Sequence, residues 1–449
     1  MKIRGTNTMF TNKQLKDMIL PLLTEQFLLM LVGLADTFVV SYAGEAAVSG
    51  VSLVNSFNTI FLYLFTALAS GGAVIVSQYI GKKNMDAASE SVSQLLMVST
   101  VFSVVVSILV LIGNEALLRL MFGRVEPDVM EACMTYFRIS AYSYPALAVY
   151  NAGAALYRSI GKTSTTMYIS IIANVINVVG NLIGVFLLHA GVAGVAYPSL
   201  ISRSFSAVVI TVLCFQDKNG IRYYGKQIFK WNGNLLKRIL GIAVPNGIES
   251  GIFQFVKVAL SSVVALFGTY QIAANGIAQS IWGVASLISA AMGPVFITVI
   301  GQCMGAGETA QAEIYFKKLI KITITISVIW NGIIFAATPV IMQGFAVSEE
   351  VRRLVVVLVL IHNVGSSVIF PFADPLGKGL RAAGDVKFTM AISLATTIGG
   401  RLVFSLLLCI ALNMGVIGIA LAMCLDWLLR AIIFWFRFRG GKWKNYQVI

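Results

Sequence analysis

Residues 21–44 read PLLTEQFLLMLVGLADTFVVSYAG, and residues 245–268 read PNGIESGIFQFVKVALSSVVALFG. Each stretch opens on a proline, sets a glutamate one helical turn later and closes on a glycine. These are Pro21, Glu25 and Gly44 in the first and Pro245, Glu249 and Gly268 in the second, at one constant offset in the numbering. Each is also long and apolar enough to cross a bilayer, whose hydrocarbon core takes about 20 helical residues. Two membrane-length segments in one register point to an internal repeat. The register continues outward. Gln78-x-x-Gly81 recurs as Gln302-x-x-Gly305, and Gly191-Val192-Ala193-Gly194 as Gly415-Val416-Ile417-Gly418. Arg158-x-x-Gly161 recurs as Arg381-x-x-Gly384 with the offset shorter by one position, which implies small compensating gaps.

The rest of the chain agrees. Of 449 residues, 58% are hydrophobic and 12% charged. A soluble domain would lack the polar surface to cover so much apolar material. Hydrophobicity peaks predict an all-α membrane protein with twelve transmembrane helices, at about 18–42, 52–78, 92–113, 132–156, 164–188, 192–214, 237–266, 272–300, 317–339, 352–376, 387–411 and 415–436. The repeat divides them into two pseudo-symmetric six-helix lobes. The N-lobe is 1–214, a cytoplasmic linker 215–236, and the C-lobe 237–449. The charged run Asp217, Lys218, Arg222, Lys226, Lys230, Lys237 and Arg238 marks the linker. Six spans per copy is even, so the copies share an orientation, as in transporters built from parallel repeats.

The net charge of +14 would suggest nucleic acid in a soluble protein. Here about 24 of the 33 basic residues fall on one side of the spans, whereas Arg119, Arg124, Arg352 and Arg353 fall on the other. The positive-inside rule therefore puts both termini in the cytoplasm of a multi-pass plasma-membrane protein, with no nucleic-acid partner. The five cysteines, Cys133, Cys214, Cys303, Cys409 and Cys424, have no paired spacing and read as small core hydrophobes. The polar stretch before Met18 and the long acid-bearing block after it do not read as a cleaved leader. No HExxH is present, and His189 and His362 are the two histidines, which argues against a membrane enzyme.

Charges inside spans are costly and need a reason. Glu25, Asp36, Glu249, Asp374 and Asp426 are acidic; Arg203, Lys257, Arg401 and Arg430 are basic. Eleven residues turn a helix through about 1100°, which puts Glu25 and Asp36 on one face. Pro21 lies one turn before Glu25 and permits bending there, as Pro245 does before Glu249. An acidic face on a bendable helix suits a proton- or cation-coupled gate. The fifth span carries Asn174, Asn177 and Asn181, of which the last two share a face at i, i+4. Asp426 and Arg430 share that spacing and are expected to neutralise each other.

Taken in order, the motifs Pro21, Ala35-Asp36-Thr37, Ala43-Gly44-Glu45, Ser77-Gln78-Tyr79-Ile80-Gly81, Arg158-Ser159-Ile160-Gly161, Gly191-Val192-Ala193-Gly194 and Leu380-Arg381-Ala382-Ala383-Gly384-Asp385 resemble those of the multidrug and toxic compound extrusion (MATE) transporters. The resemblance covers nearly the whole chain. It implies alternating access by two lobes, with antiport of small organic cations against H+ or Na+ and no other cofactor. It also implies a coupling site of Asp36, Asn177, Asn181 and Ser199, able to hold a proton or, at Asp36, Asn177 and Asn181, a sodium ion. One branch of the family carries a second acidic pair at positions matching Phe253 and Phe370. Glu249 and Asp374 each lie one turn away, which predicts a displaced acidic pair; with Glu25 they are the candidates for a substrate or second acidic site. Pro21 and Pro245 are candidate hinges. Two complete lobes in one chain are expected to work as a monomer. A lipid-linked oligosaccharide flippase of related topology would favour a cationic cavity, and Arg203, Lys257 and Arg401 suit it.

Overall fold

The computed structural model describes residues 8–122, 125–216, 220–345 and 347–449. Asp217, Lys218 and Arg124 lie outside these residues. Within them, every regular element is helical. The long helices are α1 Asn12–Ser41, α2 Glu45–Gly81, α3 Met85–Phe122, α4 Pro127–Ser159, α5 Thr163–Leu187, α6 Ala193–Phe215, α7 Gly233–Val264, α8 Thr269–Gly305, α9 Thr309–Gln343, α10 Glu349–Ala382, α11 Val386–Ala411 and α12 Gly415–Arg439. All but α4 are long and apolar enough to cross a membrane. At 33 residues α4 is long enough too, but it is more polar because it packs among α2, α3 and α6 and shows little surface to lipid. The chain is a multi-pass membrane protein, with twelve long helices among the described residues.

The helices fall into two compact units, Asn12–Gly247 and Met1–Thr11 with Ile248–Ile449. The first unit takes the linker and the opening turns of α7 with it. Hydrogen bonding explains this. Gln94 of α3 donates to the carbonyls of Gln227 and Lys230, Ser89 and Ser93 accept from the Arg222 and Tyr224 amides, and Asn232 donates to Glu90. In the second unit the amide of Met9 donates to Gln311, and the Phe10 amide to the Tyr315 hydroxyl.

The repeat is written in the backbone. Positive φ angles occur at Gly44 and Gly268, Lys83 and Gly307, His189 and Asn413, and Gly191 and Gly415, each pair at the offset that relates Pro21 to Pro245. Gly161 and Gly384 make a fifth pair, at the offset that relates Arg158 to Arg381. A π turn closes α5 at Ile183–Leu187, and its counterpart in the repeat closes α11 at Leu407–Ala411. The turn before α6 and the turn before α12 therefore have one shape. Gly191 and Gly415 both sit at φ 56°, a left-handed conformation that glycine adopts without a Cβ penalty. Close approach explains the next glycine in each motif. A Cβ on Gly194 would meet the Gly184 carbonyl carbon at 2.7 Å, and one on Gly418 would meet Cys409 N at 2.9 Å. Small residues here let helix backbones touch, which is how helices hold together without a hydrophobic drive between them.

Candidate functional site

In the first unit, α1 lays Asp36 against α5 and Glu25 against the end of α4 and the start of α5. Asn181 Nδ2 donates to Asp36 Oδ1 at 2.6 Å and to Asn177 Oδ1 at 3.2 Å. Asn177 Nδ2 donates to Ser199 Oγ at 3.0 Å. Asp36, Asn181, Asn177 and Ser199 thus form one chain across α1, α5 and α6. Asn177 and Asn181 are buried; Asp36 and Ser199 are half-buried. Helical geometry explains the relay: Asn177 and Asn181 are one turn apart, so their amides meet on one face. Asn181 Oδ1 is buried and has no hydrogen-bond partner, and the same holds for Asn174 Nδ2. A buried amide oxygen without a donor is an unmet acceptor. The nitrogen of the same amide meets the Asp36 carboxylate, so a turn of the Asn181 amide presents this oxygen to a proton held on Asp36 or to a small cation.

Around this chain stands a polar wall of which sequence reasoning singled out Arg203 but passed over Ser143, Asn55, Asn58, Tyr136 and Tyr144. Arg203 of α6 donates to Ser143 Oγ at 2.7 Å and lies within electrostatic range of Asp36. On α2, Asn55 and Asn58 accept from the Tyr136 and Tyr144 hydroxyls of α4 at 3.2 and 2.6 Å. Amides within an apolar span were a signal for these contacts, because unpaired polar groups are costly there.

Glu25 is placed differently. It is buried, and its Oε1 meets Arg158 Nη2 at 2.9 Å and the Tyr150 hydroxyl at 3.4 Å. Its Oε2 accepts from Thr166 Oγ1 at 3.2 Å. The second unit repeats this cluster. Glu249 pairs with Arg381, and Arg381 Nε donates to Thr389 Oγ1 at 3.1 Å. Arg381 and Thr389 are the repeat counterparts of Arg158 and Thr166, both at the same offset. Each unit therefore closes its first helix onto the fourth and fifth through a Glu–Arg–Thr cluster. The Arg-x-x-Gly motif is part of that device: the arginine makes the bond, and the glycine turns the chain at positive φ.

Asp374 binds Lys378, one turn away on its own helix, at 2.8 Å. The structure thus gives Glu249 and Asp374 a cation each, and among the described residues no hydrogen bond joins them. Arg430 bonds Asp426 at 3.0 Å and Thr397 at 2.9 Å, and stands 3.8 Å from Glu249. Phe253 lies under the Arg401 guanidinium at 4.7 Å, and Phe370 packs against Trp427 and Trp282. Pro21 and Pro245 both lie inside helices, α1 and α7. No group of three or more His, Cys, Asp or Glu suited to a metal occurs among the described residues.

Known proteins share this architecture. The MatE family model matches the chain twice, over residues 21–183 and 245–407. The chain is 25% identical to the uncharacterized transporter YisQ of Bacillus subtilis, over 94% of this chain and 93% of that one. It is 21% identical to the probable multidrug resistance protein NorM of Thermotoga maritima, over 97% and 94%. Among solved structures, it superposes on a MATE in complex with MaL6 with a TM-score of 0.90, at 20% identity and 97% coverage of each chain. An outward-facing MATE transporter of the MOP superfamily gives 0.89, at 20% identity and the same coverage.

Proposed function

The chain belongs to the MatE family, and from that premise we propose that it is a secondary active exporter of small organic cations, coupled to H+ or Na+ through Asp36. As a member of this family it is a transporter and not an enzyme. The observation that carries the coupling proposal is the buried, unmet Asn181 oxygen beside the Asp36 carboxylate. With Asp36 ionised, the Asn181 amide nitrogen donates to it. When a proton or sodium ion arrives, the second Asp36 oxygen and the Asn181 and Asn177 oxygens offer it ligands without rebuilding the helices. Hard cations take oxygen ligands of this kind.

Alternating access needs the ion to favour one state over another, since a ligand shifts an equilibrium only by its differential affinity. Pro21 lies one turn before Glu25 on the helix that carries Asp36, and cannot donate the backbone hydrogen bond of its turn. Charging or neutralising Asp36 changes how the outer part of α1 holds to α5, and Pro21 lets that part move. The organic cation competes for the same carboxylate. We place the protein in the plasma membrane with both termini cytoplasmic, as the charge asymmetry of the loops supports, and take it as a monomer because one chain carries both copies of the repeat.

The test is ethidium efflux from an efflux-deficient bacterium under imposed proton or sodium gradients. Wild type should export ethidium under one gradient, and Asp36→Asn should lose at least tenfold in rate. Full efflux by Asp36→Asn would move coupling away from this site. A wild type that exports no ethidium under either gradient would end the cation reading.

A further inference from the structure

The intramembrane charges of the second unit do not balance. Arg381 has Glu249, Lys378 has Asp374 and Arg430 has Asp426. Arg401 and Lys257 are left over. Arg401 is only 5% exposed, and among the described residues no hydrogen-bond acceptor meets its guanidinium. Its near neighbour is the Phe253 ring, 4.7 Å from the guanidinium carbon. Asp426 is within electrostatic range, with Oδ1 held by Arg430 and Oδ2 buried without a hydrogen-bond partner, and its single charge cannot neutralise two guanidiniums. Lys257 is exposed and lies within electrostatic range of Arg401, so the two cations repel.

The layout is regular. Glu249, Phe253 and Lys257 stand at i, i+4 and i+8 and make one stripe along α7. The inner end of the stripe is negative and paired. The middle is an aromatic ring with an arginine over it. The outer end is a free ammonium. His362 also lies within electrostatic range of Arg401, is 1% exposed, and neither ring nitrogen has a partner. A neutral imidazole always carries one N–H. His362 therefore brings one buried N–H without a partner to a place where Arg401 and Lys257 bring positive charge without a carboxylate of their own.

We infer that Arg401, Lys257, Phe253 and His362 form a recognition site for an oxyanion, a carboxylate or phosphate, carried on an aromatic or apolar body. Arg401 supplies a planar fork that matches two oxyanion oxygens, Lys257 a mobile point charge, and Phe253 an apolar face for the attached body. The inference rests on the export reading and adds to it: substrates that carry an anionic group, zwitterions among them, are accepted beside simple cations.

Two sources could bring such a group, a small organic anion or an anionic lipid head group, and equilibrium binding separates them. Purified full-length protein in phosphatidylcholine nanodiscs is titrated with radiolabelled 2-naphthoate and, separately, with a short-chain phosphatidylglycerol. The variants are Lys257→Gln, Lys257→Arg and Arg401→Gln, each first checked for an unchanged thermal melt. Wild type should bind naphthoate, Lys257→Gln should weaken it about fivefold and Arg401→Gln at least tenfold, and Lys257→Arg should restore it. Ethidium efflux by Lys257→Gln should stay within twofold of wild type. If phosphatidylglycerol binding falls in these variants while naphthoate is bound by none, the site stands and its ligand is a lipid. Binding of neither probe by wild type, or naphthoate binding equal in wild type, Lys257→Gln and any folded Arg401→Gln, would overturn the site. Because binding needs no gradient, it is scored even if ethidium export fails.

Discussion

At the scale of single residues, the Asp36 site works through one amide. Asn181 is the hydrogen-bond donor to Asp36 among the described residues, and Ser199 reaches it through Asn177. A hydrogen bond to a charged group contributes about 1.5–3 kcal/mol, or roughly tenfold or more in an equilibrium. Asn181→Ala should therefore slow gradient-driven efflux about tenfold, whereas Ser199→Ala should slow it about twofold; initial rates of ethidium efflux check this order. Gly194 is a second case in which one atom decides. Its absent Cβ leaves room for the Gly184 backbone, and a backbone cannot swing aside as a side chain can. Gly194→Ala should lose about 1–3 kcal/mol of stability by overpacking, read as a lower melting temperature in detergent. Gly113→Ala, where the nearest atom is the Leu117 side chain at 3.4 Å, should melt within a degree or two of wild type.

Helices and the ties between them form the next scale. The Glu25–Arg158 and Glu249–Arg381 pairs each tie a first helix to a fourth, and threonines on the fifth join them. Breaking a buried pair from one side strands a charge, which costs on the order of 3 kcal/mol, while replacing both partners by neutral groups is far milder. Glu25→Gln and Arg158→Met should each lower the melting temperature, and the double variant should recover most of the loss. A double variant that melts below both single variants would mean that the pair does not act as a unit. Pro21 belongs to this scale because its effect is on the helix. Pro21→Ala restores the missing backbone hydrogen bond and should stiffen α1. We expect ethidium affinity to change little and turnover to fall several-fold, separated by equilibrium binding and efflux rate on one preparation.

For the whole molecule, the repeat and the charge asymmetry make a topological prediction. Reporter fusions placed after Lys83, after Gly161 and at the C-terminus should report cytoplasm, and fusions after Gly44 and Gly191 the outside. An even span count with cytoplasmic termini allows no other alternation. A fusion at Gly191 that reports cytoplasm would remove one span from each half. The unit boundary is also a whole-molecule feature. The charged loop marks it in the sequence, while the fold sets it after Gly247, because α3 holds the loop by Ser89, Glu90, Ser93 and Gln94. Ser89 and Glu90 lie just before the span read from hydropathy at 92–113, and Ser93 and Gln94 lie in its opening turn.

The amino-acid sequence by itself determined the spans, their repeat and the relay of Asn177 and Asn181. These are local properties. A chain in lipid must satisfy its backbone within each helix, so length and apolarity are enough to mark a span, and i, i+4 spacing is enough to bring two amides together. Three of the turns were legible as well, since Gly44 and Gly268, Gly161 and Gly384, and Gly191 and Gly415, which mark the repeat, all take positive φ. Tertiary structure alone decided which carboxylates are engaged. Glu25 and Asp36 share a helix face, yet Glu25 meets Arg158 at the end of α4 and Asp36 meets Asn181 deep in α5. In the second unit three acids take three cations, which leaves Arg401 on Phe253 with no acid of its own. The strength of an ion pair falls off over a few ångströms, and separations that small between distant parts of a chain are set by how the helices pack.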